Sequence, residues 1–264
     1  MISVFCFRLA LGMLSSLWLL PAPKMHPRFF RTHFLTVLAL TVVAGWMVRV
    51  TPETSHDALE NSRWIAWATA FGALLGAIAW MFEKPPGGWL LVTLCAIGCM
   101  TALLMTNQQH LASPVIEELG RPMAWVVQGI ADLTSAMLLG FAVTAMLVGH
   151  SYLISPGLSI RPLLVQIVGF GIAWLGRVAV AAWALWFWMA DHDITNFANE
   201  TNLWLPVRWS VGFGAPLVCG VMAFRTAQIR STQSATGILY VVVILVFLGE
   251  LFGLLLARQT GLPL

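Results

Sequence analysis

Eight runs of about twenty mostly apolar residues, joined by short polar segments, constrain this chain more than any motif in it. They lie near 2–21, 29–49, 64–82, 87–106, 122–149, 162–189, 203–224 and 236–257. A run of that length spans the hydrocarbon core of a bilayer, and inside it only helices or closed barrels keep every backbone polar group bonded. The fold class expected is therefore all-α, a polytopic bundle of about eight transmembrane helices, or seven if the first run is a signal or does not span. No joint is long enough for a soluble domain, so residues 1–264 read as a single transmembrane helical domain. Composition agrees, because 9% of the residues are charged where a soluble domain carries about a quarter. The net charge of +3 is spread along the chain and forms no basic stripe for nucleic acid. The partners implied are the lipid bilayer and other membrane subunits.

The first run, MISVFCFR followed by LALGMLSSLWLLPAP, has three readings. It is a signal peptide with Arg8 in its basic region, a true span with Arg8 buried, or a stretch upstream of a start at Met25. No small-x-small cleavage site follows it. Orientation comes from the joints. The first holds Lys24, Arg28 and Arg31, the third Lys84, the fifth Arg161, and the seventh Arg225 and Arg230. The even joints hold Arg49, Arg63 and Arg121 with most of the acids, among them Glu53, Asp57, Glu60, Glu117, Glu118, Asp191, Asp193 and Glu200. The positive-inside rule places the odd joints in the cytoplasm. A bacterial inner membrane is the expected location.

Pro122 to Pro162 is the stretch that asks for a function. Asp132 lies within its apolar run, and His150 closes the run before a Ser/Pro/Gly-rich turn. Eighteen residues separate them, five helical turns or about 27 Å, so both share one helix face. Ionisable groups within spans are costly and mark functional sites by default. Three more lie at a depth similar to Asp132's or nearer the outer end: Arg177, Arg208 and Glu250. All fall within roughly the outer 20 Å at 1.5 Å per residue. Two acids and two bases there can neutralise one another. Asp132 with Arg177 and Glu250 with Arg208 is one of two matchings, and Arg8 joins the layer if the first run spans. Gln128, Asp132 and Ser135 share a face of the fifth run, and Gln166 and Arg177 nearly share one on the sixth. A proton or ion path, a substrate site, and a set of ion pairs that fixes helix register all account for this layer.

A second cluster is expected at the cytoplasmic boundary, where His33 and His150 meet Arg28, Arg31 and Arg161, with Ser151, Tyr152 and Ser155 close by. Two histidines from different helices at one depth can hold a b-type haem between them. They can instead bind a metal with a third, unidentified ligand, the arginines and histidines can contact lipid or substrate phosphates, and ordinary interfacial residues of a basic flank look the same. Cys95 and Cys99 share a helix face but lack zinc or CxxC spacing, so a packing seam is preferred. Ala68, Gly72 and Gly76, and the glycines of the last three runs, read as close-packing positions. Asp191-His192-Asp193 reads as a solvated acidic loop in preference to a cation site, Asn199-Glu200-Thr201 fits the glycosylation pattern, which has meaning only in a eukaryotic secretory setting, and Trp183, Trp186 and Trp188 read as an aromatic belt. Walker, HExxH, GxSxG and CxxCH motifs are absent, and no enzymatic activity is assigned. Three classes remain: a membrane-embedded transport or proton-conducting component, a haem-binding redox subunit, and a structural subunit of a complex.

Overall fold

A computed structural model describes residues 1–21, 25–48, 56–82, 87–107, 120–154, 159–189 and 200–264. The Asp191-His192-Asp193 run, Asn199, Ser155, and the loop charges Lys24, Arg49, Glu53, Lys84, Glu117 and Glu118 lie outside them. The described elements are α1 (Ile2–Leu17), α2 (Pro27–Met47), α3 (His56–Ala79), α4 (Gly88–Asn107), α5 (Arg121–Ile154), α6 (Arg161–Met189), α7 (Glu200–Val207), a π-helical segment (Arg208–Gly214), α8 (Ala215–Gln228) and α9 (Thr232–Thr260). The fold is an all-helical bundle, with no strand among the described residues.

Seven helical stretches are long and apolar enough to cross a membrane, with α7, the π segment and α8 together making one of them. Their most exposed side chains are themselves apolar: Phe71, Leu90, Ile172, Leu175 and Ile244 are each about 60% exposed or more. A surface of this kind demands lipid rather than water. The chain is a multi-pass integral membrane protein.

The first segment is the departure from eight equal spans. At sixteen residues, α1 is shorter than the other membrane helices, about 24 Å against a hydrocarbon core of roughly 30 Å. It does not meet lipid as they do, because thirteen of its residues are buried. It packs against α2, α4 and α5. The closest approach is to α5, which runs parallel to it. A methyl group on Gly12 would collide with the Ala136 carbonyl oxygen, and one on Gly140 with the backbone of Gly12. Along this seam Arg8, Gly12 and Ser16 recur at four-residue spacing, facing Asp132, Ala136, Gly140 and Thr144 at the same spacing. Two helices with matching small residues bring their backbones together in this way, and any polar residue in the same stripe is carried into the contact.

We call upper the end bearing Asn107, the start of α5 and the end of α9, and lower the opposite one. The lower end is closed by an aromatic cluster, with Phe30 stacked on Trp80 at 4.1 Å and Trp18 and Trp89 beside them. The π segment lies between Pro206 and Pro216, which disturb the helical ladder on either side. Within it Gly212 meets Gly249 of α9 backbone to backbone. The other glycines divide. Gly76 receives the Phe34 ring and Gly72 the Cys95 thiol, whereas Ala68 is exposed and stands outside that contact. Cys95 and Cys99 are free and buried, at packing positions as expected.

Candidate functional site

The site starts at Arg8, because α1 delivers a guanidinium into the middle of the bundle and something must meet it. Its Nε and Nη2 both donate to Asp132 Oδ1, at 2.9 and 2.6 Å. Asn107, at the end of α4, donates to the other carboxylate oxygen at 2.6 Å. Gln128, one turn before Asp132 on α5, donates to Oδ1 at 3.2 Å. Arg8 Nη1 reaches Ser135 Oγ at 3.4 Å. Ser135 in turn donates to Glu250 Oε2, so the hydroxyl joins two halves of one network.

The second half centres on Glu250. Arg177 of α6 and Arg208 of the π segment both donate to its Oε1, at 3.2 and 2.8 Å. Arg8 Nη1 stands 3.9 Å from Oε2. Arg177 also donates to the backbone oxygens of Pro263 and Leu264, the latter lying against Gly253 of α9. Arg208 lies 4.1 Å over the Phe213 ring. Gly212, Gly249 and Gly253 leave the room it occupies, since a methyl on any of them would come within 3.0–3.2 Å of the guanidinium. These glycines do more than bring helices together: they make a slot for a charge.

The network is dry on most sides. Asp132, Arg208 and Glu250 are 0% exposed, and Arg177 and Arg8 are 2% and 4% exposed. An isolated charge at such depth costs at least about 2.5–3.5 kcal/mol, so pairing is required. The pairing is incomplete, because three guanidinium groups face two side-chain carboxylates. Arg208 Nε and Nη1 are buried with no partner among the described residues. Below the layer the bundle is closed by Leu9, Met13, Leu138, Leu139, Val242 and Val246, all buried. Above it a cavity of about 230 Å³ reaches down to Arg8, Asn107 and Gln128, between Val4, Leu254, Ala257 and Arg258.

The structure thus brings together all six residues expected in the ionic layer, includes Arg8, whose membership hung on the first run, and adds Asn107. It revises their matching. Glu250 pairs with Arg208 as in one expected scheme, but Asp132 pairs with Arg8 and not with Arg177, which turns to Glu250 instead. The reason is the α1–α5 seam, whose four-residue register leaves Arg8 opposite Asp132. Asn107 stands one residue beyond the fourth run, and its polar side chain at that end is the one signal the sequence carries for it. Gln166 shares a face with Arg177 yet belongs elsewhere, its Nε2 donating to the Ser16 carbonyl at 3.0 Å.

The cluster expected at the cytoplasmic boundary is not gathered into one site. His33 is 1% exposed, its Nδ1 3.0 Å from the Phe29 carbonyl and its Nε2 3.3 Å from the Thr144 hydroxyl. His150 is exposed near the end of α5, a helix of 34 residues, about 51 Å and longer than the bilayer core. A shared helix face therefore gives Asp132 and His150 opposite environments. With both His33 nitrogens engaged and His150 at the surface, the pair does not fit a haem. Arg28 and Arg31 line one cavity beside His26 and Trp80, and Arg161 lines another beside Trp18 and Ser159. No group of three or more metal-ligating side chains exists among the described residues. Trp183 and Trp186 face outward as belt residues do, but Trp188 is buried. Compared with protein-family models, curated proteins and solved structures, the chain matches none.

Proposed function

We propose that this protein is a membrane transport component whose solute enters from the upper end and meets the buried ionic layer. The observation that carries the reading is the cavity that ends on Arg8, Asn107 and Gln128. Those same side chains hold Asp132. An apolar barrier lies directly below, so the layer is reachable from one side and sealed from the other, the arrangement of one state of an alternating-access carrier. The basic first, third, fifth and seventh joints favour the lower end as cytoplasmic, which makes the cavity outward-facing in a bacterial plasma membrane. Movement of a solute is favoured over simple proton conduction, because both carboxylates are already surrounded by donors.

A structural role for the ion pairs is the second reading, favoured by that same saturation. Two experiments separate them. In sealed proteoliposomes, Gln128→Cys is expected to react with a membrane-impermeant thiol reagent from the cavity side only. Solute- or pH-jump currents on a supported membrane are expected from the wild type and lost in Asp132→Asn. The exchanged pair Arg8→Asp with Asp132→Arg is expected to recover stability without recovering current. An unreactive thiol in the Gln128→Cys variant, together with currents that ignore Asp132→Asn, would leave only the structural role.

A further inference from the structure

We infer that the solute is a small organic carboxylate carrying one negative charge, bound in the upper cavity with its head on Arg258. The inference rests on the transport reading and names its substrate class. Arg8, Arg258, Asn107 and Gln128 are the cavity's polar side chains, and Met1, Val4, Leu254, Ala257 and Gly261 complete the described lining. Among the described residues, neither Asp nor Glu is in the lining. The fork of Arg8 is committed to Asp132, but Arg258 is exposed and its only described polar contact is a weak one to the Met1 sulfur at 3.9 Å. A free guanidinium fork matches a carboxylate with two parallel hydrogen bonds. The amides of Asn107 and Gln128 each spend one N–H on Asp132 and carry a second.

The field behind the cavity has the same sign. The buried side chains of the layer include one more guanidinium than carboxylate, and Arg208 keeps two N–H groups unpartnered. An arriving anion lowers the energy of that surplus, whereas a cation raises it. The apolar walls ask for a hydrocarbon tail, which separates an organic carboxylate from an inorganic anion. The volume of about 230 Å³ falls below the range of roughly 300–1,000 Å³ typical of sites for drug-sized ligands. It therefore sets the tail at a few carbons.

The test uses the purified full chain in detergent, with sodium butyrate as probe and butyramide and sodium chloride as controls. Butyrate is expected to raise the unfolding temperature saturably and to slow thiol labelling of Gln128→Cys. Butyramide and chloride are expected to do neither. Arg258→Ala, an exposed position, is expected to fold normally and bind butyrate about tenfold more weakly. Gln128→Glu places a tethered carboxylate in the cavity and is expected to remove the butyrate response. No saturable response to butyrate, an equal response to butyramide or chloride, or unchanged affinity in Arg258→Ala would overturn the inference. Such a result leaves the transport reading standing wherever the thiol of Gln128→Cys is accessible and the currents still require Asp132.

Discussion

The same two helices, α1 and α5, hold two polar layers in this bundle, and the layers differ in kind. The upper one joins Arg8 to Asp132 and passes through Ser135 to Glu250, Arg177 and Arg208. The lower one, two turns further along α1, joins Ser16 to Thr144 at 2.6 Å and Thr144 to His33, with Gln166 on the Ser16 carbonyl. Both are buried. The upper layer is made of charges, is unevenly paired and borders a cavity. The lower is made of hydroxyl, amide and imidazole groups and is enclosed by the core. On the proposed function, buried charge with a route to it marks the upper layer as the working one, and burial of polar groups alone does not so mark the lower.

The comparison breaks most sharply at Glu250. Glu250→Gln removes the charge shared by Arg177 and Arg208 and leaves both buried without a carboxylate. Loss of one partner from a buried ion pair costs about 3–5 kcal/mol. The expected outcome is poor yield of folded protein and a large drop in unfolding temperature followed by tryptophan fluorescence. If Glu250→Gln is tolerated as well as a substitution in the lower layer, the two layers do not differ in the way described.

Next comes the seam that holds both layers in register. Gly12→Ala inserts a methyl where the Ala136 carbonyl lies. Overpacking of this kind costs about 1–3 kcal/mol. Because Arg8 and Ser16 flank Gly12 on the same stripe, the spread of α1 from α5 is expected to weaken both layers together. Thiol labelling of Gln128→Cys is expected to speed up when Gly12→Ala is added to it. A drop in stability with unchanged labelling would separate the seam from the upper layer.

Much of the upper layer was legible in the sequence, and the limit of that legibility has a physical cause. Position along a helix sets depth, so Asp132, Arg177, Arg208 and Glu250 were placed at one level by counting residues. Helical periodicity put Gln128 and Ser135 beside Asp132. Lateral partners depend on which helices touch, and Arg8 enters the expected scheme only on the condition that its run spans, because that run also reads as a signal or an upstream stretch. The four-residue stripe of Arg8, Gly12 and Ser16 against Asp132, Ala136, Gly140 and Thr144 was present in the sequence. The glycine seams singled out lay on other helices. His33 and His150 misled for the opposite reason: equal depth was taken as proximity, while one ring turns into the core and the other into the surroundings.

Thr144→Val tests the lower layer directly. It removes the hydroxyl that meets Ser16 and His33 while keeping the shape of the side chain. A neutral hydrogen bond contributes about 0.5–1.5 kcal/mol net, and the expected loss of stability is of that size, well under the effect of Glu250→Gln. Under the proposed transport function, currents, and the labelling rate when Gln128→Cys is combined with it, are expected to stay at wild-type values. A variant that folds normally yet loses its current would give the lower layer a part in transport and dissolve the distinction.

The smallest effect is expected at Gln166. Its Oε1 is buried with no partner among the described residues, and its Nε2 makes one bond, to the carbonyl of Ser16. That carbonyl also accepts the backbone N–H of Leu19 at 3.3 Å, so removing the glutamine leaves no acceptor orphaned. Gln166→Leu keeps most of the volume, deletes one hydrogen bond and relieves one unpartnered buried oxygen. These opposing contributions are each on the order of 1 kcal/mol, and the variant is expected to unfold within about 1 kcal/mol of the wild type. The same logic applied to Arg208, which also keeps unpartnered buried donors, gives the opposite expectation. Arg208→Leu would strip Glu250 of its shortest ion pair and is expected to be destabilising. If Gln166→Leu and Arg208→Leu prove equally mild, charge is not what separates the two layers.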